Sequence, residues 1–169
     1  HRLVPSISLG APRPVVYRVC KRFEVESGHM LFKHPGRCKY PHGHSRLIEI
    51  VVASPELDEN DMVCDFKALK LAVADVVDRL DHALAVNSDD PVLNRLGEDL
   101  CERVVVFQKK DPTTEVLARY IYEEVVARVA SGRSWRAPDG SEYRLPAVLM
   151  VERVRVGETS STWAEYAAG

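Results

Sequence analysis

The stretch Cys38-Lys39-Tyr40-Pro41-His42-Gly43-His44-Ser45-Arg46-Leu47-Ile48-Glu49-Ile50-Val51-Val52-Ala53 sets one cysteine and two histidines at the head of an apolar run. In a strand, successive side chains point to opposite faces, so His42 and His44 share a face. Gly43 between them has no side chain to crowd the other face. The histidine face continues through Arg46, Ile48, Ile50 and Val52, which turns it toward an interior rather than bulk water. A strand is expected from about Gly43 to Ala53. A third histidine, His29, precedes Cys38 by nine residues. Three imidazoles from neighbouring strands make a common catalytic zinc set, with a fourth position left for water or substrate. A thiol four residues before the pair could then act on the occupant of that position. The rival arrangement uses Cys38 as a ligand in a closed, structural Cys-His-His site. His34 is a further candidate ligand, but its Pro-Gly loop reads as exposed.

Working outward, Val15 to Glu26 alternates as a half-buried strand. Val15, Tyr17, Val19, Phe23 and Val25 share one face, interrupted by Lys21. Asp65 reads as the N-cap of a helix whose stripe is Phe66, Leu69, Val73, Val76 and Leu80. That helix is expected to end near Asp81-His82. A short strand is expected at 104–107. A second helix is read from Asp111 as cap and Pro112 as first helical residue, with Leu117, Ile121, Val125 and Val129 as its stripe. Residues 131–146, with Asp139-Gly140, suit a loop or small hairpin. The last strand is expected over about Ala147 to Glu158, with Val148, Met150, Val154 and Val156 sharing a face with Glu152 and Glu158. This order argues one α+β domain over residues 15–169, an antiparallel sheet with two helices on one face. Residues 1–14 read as a disordered or added tail outside it.

The chain of 169 residues carries a formal net charge of −2 and no basic run, which argues against a nucleic-acid partner. No apolar stretch approaches membrane-spanning length. The four cysteines, Cys20, Cys38, Cys64 and Cys101, are irregularly spaced without a CxxC pair. That fits a reducing cytoplasm better than a disulfide framework, with Cys20, Cys64 and Cys101 as small buried hydrophobes. Asp81-His82 reads either as an oriented general base or as a helix terminus where His82 meets the dipole. Glu158 ends a largely apolar face, so its carboxylate needs a donor partner. That partner is either an arginine or a ligand with two adjacent N–H donors gripped in bidentate fashion.

Taken together, these residues resemble the 6-pyruvoyltetrahydropterin synthase and 6-carboxytetrahydropterin synthase family. The markers run from Phe23 to Tyr166. They are His29, the C-x3-H-G-H of Cys38 to His44, Met62-Val-Cys-Asp65-Phe66, Leu80-Asp81-His82, Asp111-Pro-Thr-Thr-Glu115, Glu158-Thr159 and Trp163-Ala-Glu-Tyr166. The resemblance implies that His29, His42 and His44 bind Zn2+. It implies that Cys38 moves protons on the substrate side chain, with Asp81 and His82 completing the relay. Glu158 would anchor a pterin ring, helped by Thr113 and Thr114. The implied substrate is 7,8-dihydroneopterin triphosphate. The implied fold is the T-fold, or tunnelling fold, whose barrel is completed by oligomerisation into a hexamer of two trimers. In the family the Asp-His pair can come from the neighbouring chain. Cys38 stands where a folate-pathway branch carries Glu. Its C-x3-H-G-H setting favours the 6-carboxy product, on the path to deazapurine-modified tRNA, over triphosphate elimination to the 6-pyruvoyl product. A zinc-stabilised binding module without activity and a zinc-free aldolase on the same fold are the competing classes. The chain departs from the compact members at Glu26-Ser27-Gly28, in the spacing from His82 to Asn87, and in the longer segments 88–110 and 131–146.

Overall fold

Two long strands form the spine of the molecule. β1 (Tyr17–His29) and β2 (His42–Ser54) pair antiparallel along their whole length, from Tyr17 opposite Ser54 to His29 opposite His42. The structure, a computed structural model, describes residues 16–169. The expected tail and the expected strand start at Val15 lie outside the described residues. Alternation turns Val25 of β1 and Ile48, Ile50 and Val52 of β2 inward. Arg18, Arg22 and Glu24 take the exposed face. β1 continues past the expected end at Glu26, so His29 itself closes the ladder.

α1 (Phe66–Leu80) starts where expected. The Asp65 carboxylate accepts from the Lys67 N–H at 2.7 Å. Leu69, Val73, Val76 and Leu80 are buried as the stripe requires, joined by Ala68 and Ala72. Phe66 departs from it: as the first helical residue it points off the stripe and is half exposed. β3 (Ala83–Asn87) follows at once and pairs parallel with β1. A short helix, α2 (Glu98–Cys101), leads into β4 (Val104–Phe107), which pairs parallel with β3.

α3 (Thr114–Ser131) corrects the expected cap. Thr113, not Asp111, is the N-cap, and its hydroxyl accepts from the Val116 N–H at 3.3 Å. Asp111 instead accepts from the Lys33 N–H and the Asn87 side chain, both at 2.8 Å. Each of its two oxygens is thus engaged by a donor from another segment, Lys33 or Asn87, and not by an N–H of the helix. Leu117, Ile121 and Val125 are buried, and Val129 packs at the margin of the core. Gly132 ends the helix in the left-handed conformation, φ 63°, that residues with a Cβ rarely adopt.

The expected small hairpin is present as β5 (Ser134–Arg136) and β6 (Glu142–Arg144). β7 (Met150–Thr159) pairs antiparallel with β2, and β8 (Thr162–Ala167) pairs antiparallel with β7. The main sheet runs β4-β3-β1-β2-β7-β8. It is therefore mixed rather than wholly antiparallel. β3 and β4 are each reached through helical crossovers, which allow parallel pairing where tight hairpins do not. α1 packs over β1 and β3, α3 over β7 and β8, and the two helices touch each other. Their stripes and the inner sheet face make one core.

β7 also corrects the expected face. Val52 lies opposite Val151 but Val51 lies opposite Arg153, so Glu152 is an extra residue in the ladder. This bulge shifts the alternation. Val151, Val154 and Val156 are buried, while Val148 and Met150 are each 48% exposed. Glu152 turns to Arg18 instead. Among the cysteines only Cys64 is buried, where desolvation pushes its thiol up to about 11. Cys20 and Cys101 are exposed, Cys20 because it falls on the outward positions of β1 and Cys101 because it ends the short α2.

Candidate metal and ligand site

The strand ends that pair His29 with His42 bring three imidazoles together. His29 Nε2 lies 3.0 Å from His42 Nε2 and 3.2 Å from His44 Nε2. The three ligating nitrogens lie within 4.8 Å of one another. A zinc ion bound at 2.0–2.1 Å by a tetrahedral set separates its ligand nitrogens by about 3.3 Å, so this spacing fits with small adjustment. Close strand approach makes it possible. Gly28 lies opposite Gly43, and a Cβ on Gly43 would meet the Ser27 carbonyl oxygen at 3.3 Å.

The outer hydrogen bonds orient the rings. His29 Nδ1 donates to the Pro112 carbonyl and His42 Nδ1 to the Tyr40 carbonyl, each at 2.8 Å. A carbonyl only accepts, so both Nδ1 atoms carry the proton and both Nε2 lone pairs face the shared centre. Burial, the largest cause, combines with the neighbouring Arg46 guanidinium to outweigh the Pro112 bond and lower His29 to about 4. Burial and Arg46 lower His44 as well. Neutral imidazoles are the form that binds a metal.

Glu158 stands beside this centre. It falls at a second irregularity of β7, where Gly157 pairs with Trp163 and Thr159 with Thr162. The interruption frees Glu158 from the ladder and aims it at the site. Its Oε2 accepts from the Thr114 hydroxyl at 2.6 Å, and its Oε1 lies 3.4 Å from His44 Nε2. Burial alone would push this carboxyl up. The Thr114 bond, helped by the neighbouring His44 and Arg46, reverses that and holds it below the usual carboxylate range. Thr114 is buried at the first turn of α3 and faces Glu158. Thr113 turns the other way as the cap and lines a shallow groove with Leu31 and His34.

The remaining candidates stand further off. Cys38 sits in a single helical turn, Arg37–Lys39, half-buried, and its carbonyl accepts from the Leu31 N–H. Its sulfur is not part of the close three-histidine group. His34 is exposed, with its Nδ1 accepting from the Gly36 N–H. Asp81 and His82 do contact each other, Oδ2 to Nδ1 at 3.1 Å. His82 takes a left-handed φ of 51°, which swings its ring back to its neighbour. Asp81 is in turn fixed by the Glu26 N–H, the main cause holding its carboxyl below the usual range. The pair is not hydrogen-bonded to the three histidines. His82 and His44 both line a cleft of about 500 Å³, together with Gly43, Leu84 and Arg103.

One residue of the site escaped the sequence reading. Arg46 is 2% exposed and lies against the His29 ring, 3.3 Å from Nδ1. Its signal was present as a charge inside the apolar alternation of β2.

The match to known proteins agrees with this geometry. The family model of 6-pyruvoyl tetrahydropterin synthase matches residues 18–169. The chain is 28% identical to the 6-carboxy-5,6,7,8-tetrahydropterin synthase of Aquifex aeolicus, over 89% of this chain and 97% of that protein. It is 26% identical to the enzyme of the same name from Rickettsia felis, over 75% of this chain and 92% of that protein. Among solved structures, an uncharacterized protein from Wolinella succinogenes superposes with a TM-score of 0.72 at 22% identity, covering 92% of this chain and 99% of that one. The 6-pyruvoyl tetrahydropterin synthase of Plasmodium vivax superposes with a TM-score of 0.65 at 18% identity, with the same coverage. The shared architecture is the α+β T-fold. The chain belongs to the 6-pyruvoyl tetrahydropterin synthase family and is a lyase of the tetrahydropterin synthase type.

Proposed function

We propose that the chain is a zinc-dependent lyase that converts 7,8-dihydroneopterin triphosphate to 6-carboxy-5,6,7,8-tetrahydropterin, in the route to deazapurine-modified tRNA. The observation that carries this reading is the convergence of three imidazole Nε2 atoms beside a carboxylate held by Thr114. The product is taken from the name that the Aquifex and Rickettsia relatives bear. His29, His42 and His44 would hold the zinc, which would supply Lewis-acid polarisation of the side-chain hydroxyls of the substrate.

The chain's own groups do the rest. Glu158 accepts the paired N–H and NH2 donors of the pterin ring, which sets the side chain over the three histidines. Thr114 keeps that carboxylate in place, while Thr113 faces the other way as the cap of α3. Cys38 accepts and returns protons on the side-chain carbons. Asp81 holds His82 in one tautomer across the cleft, ready to pass a proton to a ligand that fills it. Triphosphate leaves by elimination from the third side-chain carbon; water then adds to the first, the bond between the first and second carbons breaks, and the first stays on the ring as the carboxylate while the other two leave as acetaldehyde.

The test is incubation of the zinc-loaded protein with 7,8-dihydroneopterin triphosphate, followed by mass analysis. The 6-carboxy product with acetaldehyde is expected. Triphosphate release with the three-carbon side chain retained would assign the 6-pyruvoyl reaction instead. No turnover of this substrate at full zinc occupancy would overturn the proposal.

A further inference from the structure

Among the described residues Arg46 is the only buried lysine or arginine. Burying a cation is costly unless its donors are matched. Here the match is incomplete. Nη1 donates to the Thr114 hydroxyl at 3.0 Å and reaches the Gly157 carbonyl at 3.4 Å. Nη2 rests on the His29 ring, and Nε has no partner. Among the described residues no carboxylate lies within 4.0 Å of the guanidinium. Its nearest route to a counter-charge runs through Thr114 to Glu158.

That route has a direction. A guanidinium only donates, so Thr114 Oγ1 must accept from Arg46. A hydroxyl has a single proton, and with Arg46 as donor that proton is left for Glu158 Oε2. Without Arg46 the hydroxyl could rotate toward other acceptors and Glu158 would lose its fixed bond. The chain of contacts joins three elements, β2, α3 and β7, at the point where β7 leaves its ladder.

We propose that Arg46 is a positioning residue for pterin recognition: by donating to Thr114 it commits the threonine proton to Glu158 and fixes the orientation of that carboxylate. This rests on the reading of Glu158 as the ring anchor. Arg46 itself does not touch the ligand.

The test is fluorescence titration of the zinc-loaded protein with 7,8-dihydroneopterin, the probe without phosphates, with zinc stoichiometry measured in parallel. Arg46→Met and Thr114→Val should each weaken binding about tenfold, the scale of one hydrogen bond, with zinc content unchanged. The double variant should bind no more weakly than either single one, because both remove the same relay. Arg46→Lys, which keeps a donor, should recover part of the loss. Parent-like binding by Glu158→Gln would sink the anchor reading and the relay together. Weak binding by Glu158→Gln beside parent-like binding by Arg46→Met, or additive losses in the double variant, would sink the relay alone. If Arg46→Met does not fold, Thr114→Ser against Thr114→Val decides. Serine should bind like the parent and valine weakly, and equal affinities would overturn the proposal.

Discussion

In the proposed reaction Glu158 and Cys38 divide the chemistry between recognition and proton transfer. In Glu158→Gln an NH2 donor replaces one acceptor oxygen and faces the N–H donors of the ring. Pterin binding should weaken by roughly 2–5 kcal/mol, the cost of opposed buried donors, while zinc content stays constant. Calorimetric titration beside metal analysis checks both halves. Cys38→Ala should keep fold and zinc but lose most turnover, because its sulfur stands outside the three-histidine group. Near-normal turnover in that variant would remove Cys38 from the mechanism. His29 gives the pH signature. Its ordinary value of 6.5 is lowered to about 4 in the folded chain, chiefly by burial. Between those values the unfolded chain takes up a proton that folded His29 refuses, so stability falls as pH falls. Above that window this group contributes no slope. Urea midpoints of the metal-free protein at pH 7.5 and pH 5 should therefore diverge, and His29→Gln should narrow the gap.

At the scale of elements, the site depends on how closely β1 and β2 approach at their ends. Gly43 faces Gly28 across the ladder, and a Cβ there would press on the Ser27 carbonyl at 3.3 Å. That oxygen belongs to the backbone of a central strand and would have to give by a few tenths of an ångström. Gly43→Ala should spread the strands beside His42 and His44 and weaken metal binding. A competition titration against a chelator should read roughly a tenfold loss, the effect expected when ligand geometry is disturbed. An unchanged affinity would mean that the strand pair yields freely. The two irregularities of β7 act in the same way. The first returns Val151 to the core, and the second turns Glu158 out of its ladder toward the histidines.

For the whole molecule, among the described residues the sheet ends in two open strands, β4 and β8. Exposed edges invite pairing, and barrel closure between subunits removes them. Val106 on β4 is 43% exposed and Trp163 on β8 is 56% exposed, apolar surface at both edges. The Arg155 guanidinium lies 3.7 Å from the centre of the Trp163 ring. We expect a trimer-based assembly, most simply a hexamer of two trimers. Light scattering at micromolar concentration measures it directly, and a monomer there would rule it out. Among the described residues no helix is long and apolar enough to cross a membrane.

What the sequence determined by itself is whatever depends on local periodicity. The period of two placed His42 and His44 on one inward face of β2. The period of 3.6 found the α1 and α3 stripes, and Asp65 marked a cap, because these patterns repeat within a few residues. His29, Glu158 and the Asp81-His82 pair were also legible as candidates from their residue types and settings. Tertiary structure decided the rest, because it depends on partners far apart in the chain. β3 and β8 are short and lack a pattern of their own, and they become strands by pairing with β1 and β7. Asp111 left the helix cap for Lys33 and Asn87, two donors brought in from other segments. The bulge at Glu152 overturned the expected face of Met150, since a register shift shows only against the partner strand. In the sequence Arg46 reads only as one position of the inward face of β2. Only the packing of α3 and β7 against β2 gave its charge a hydroxyl to hold and, through Thr114, linked it to Glu158.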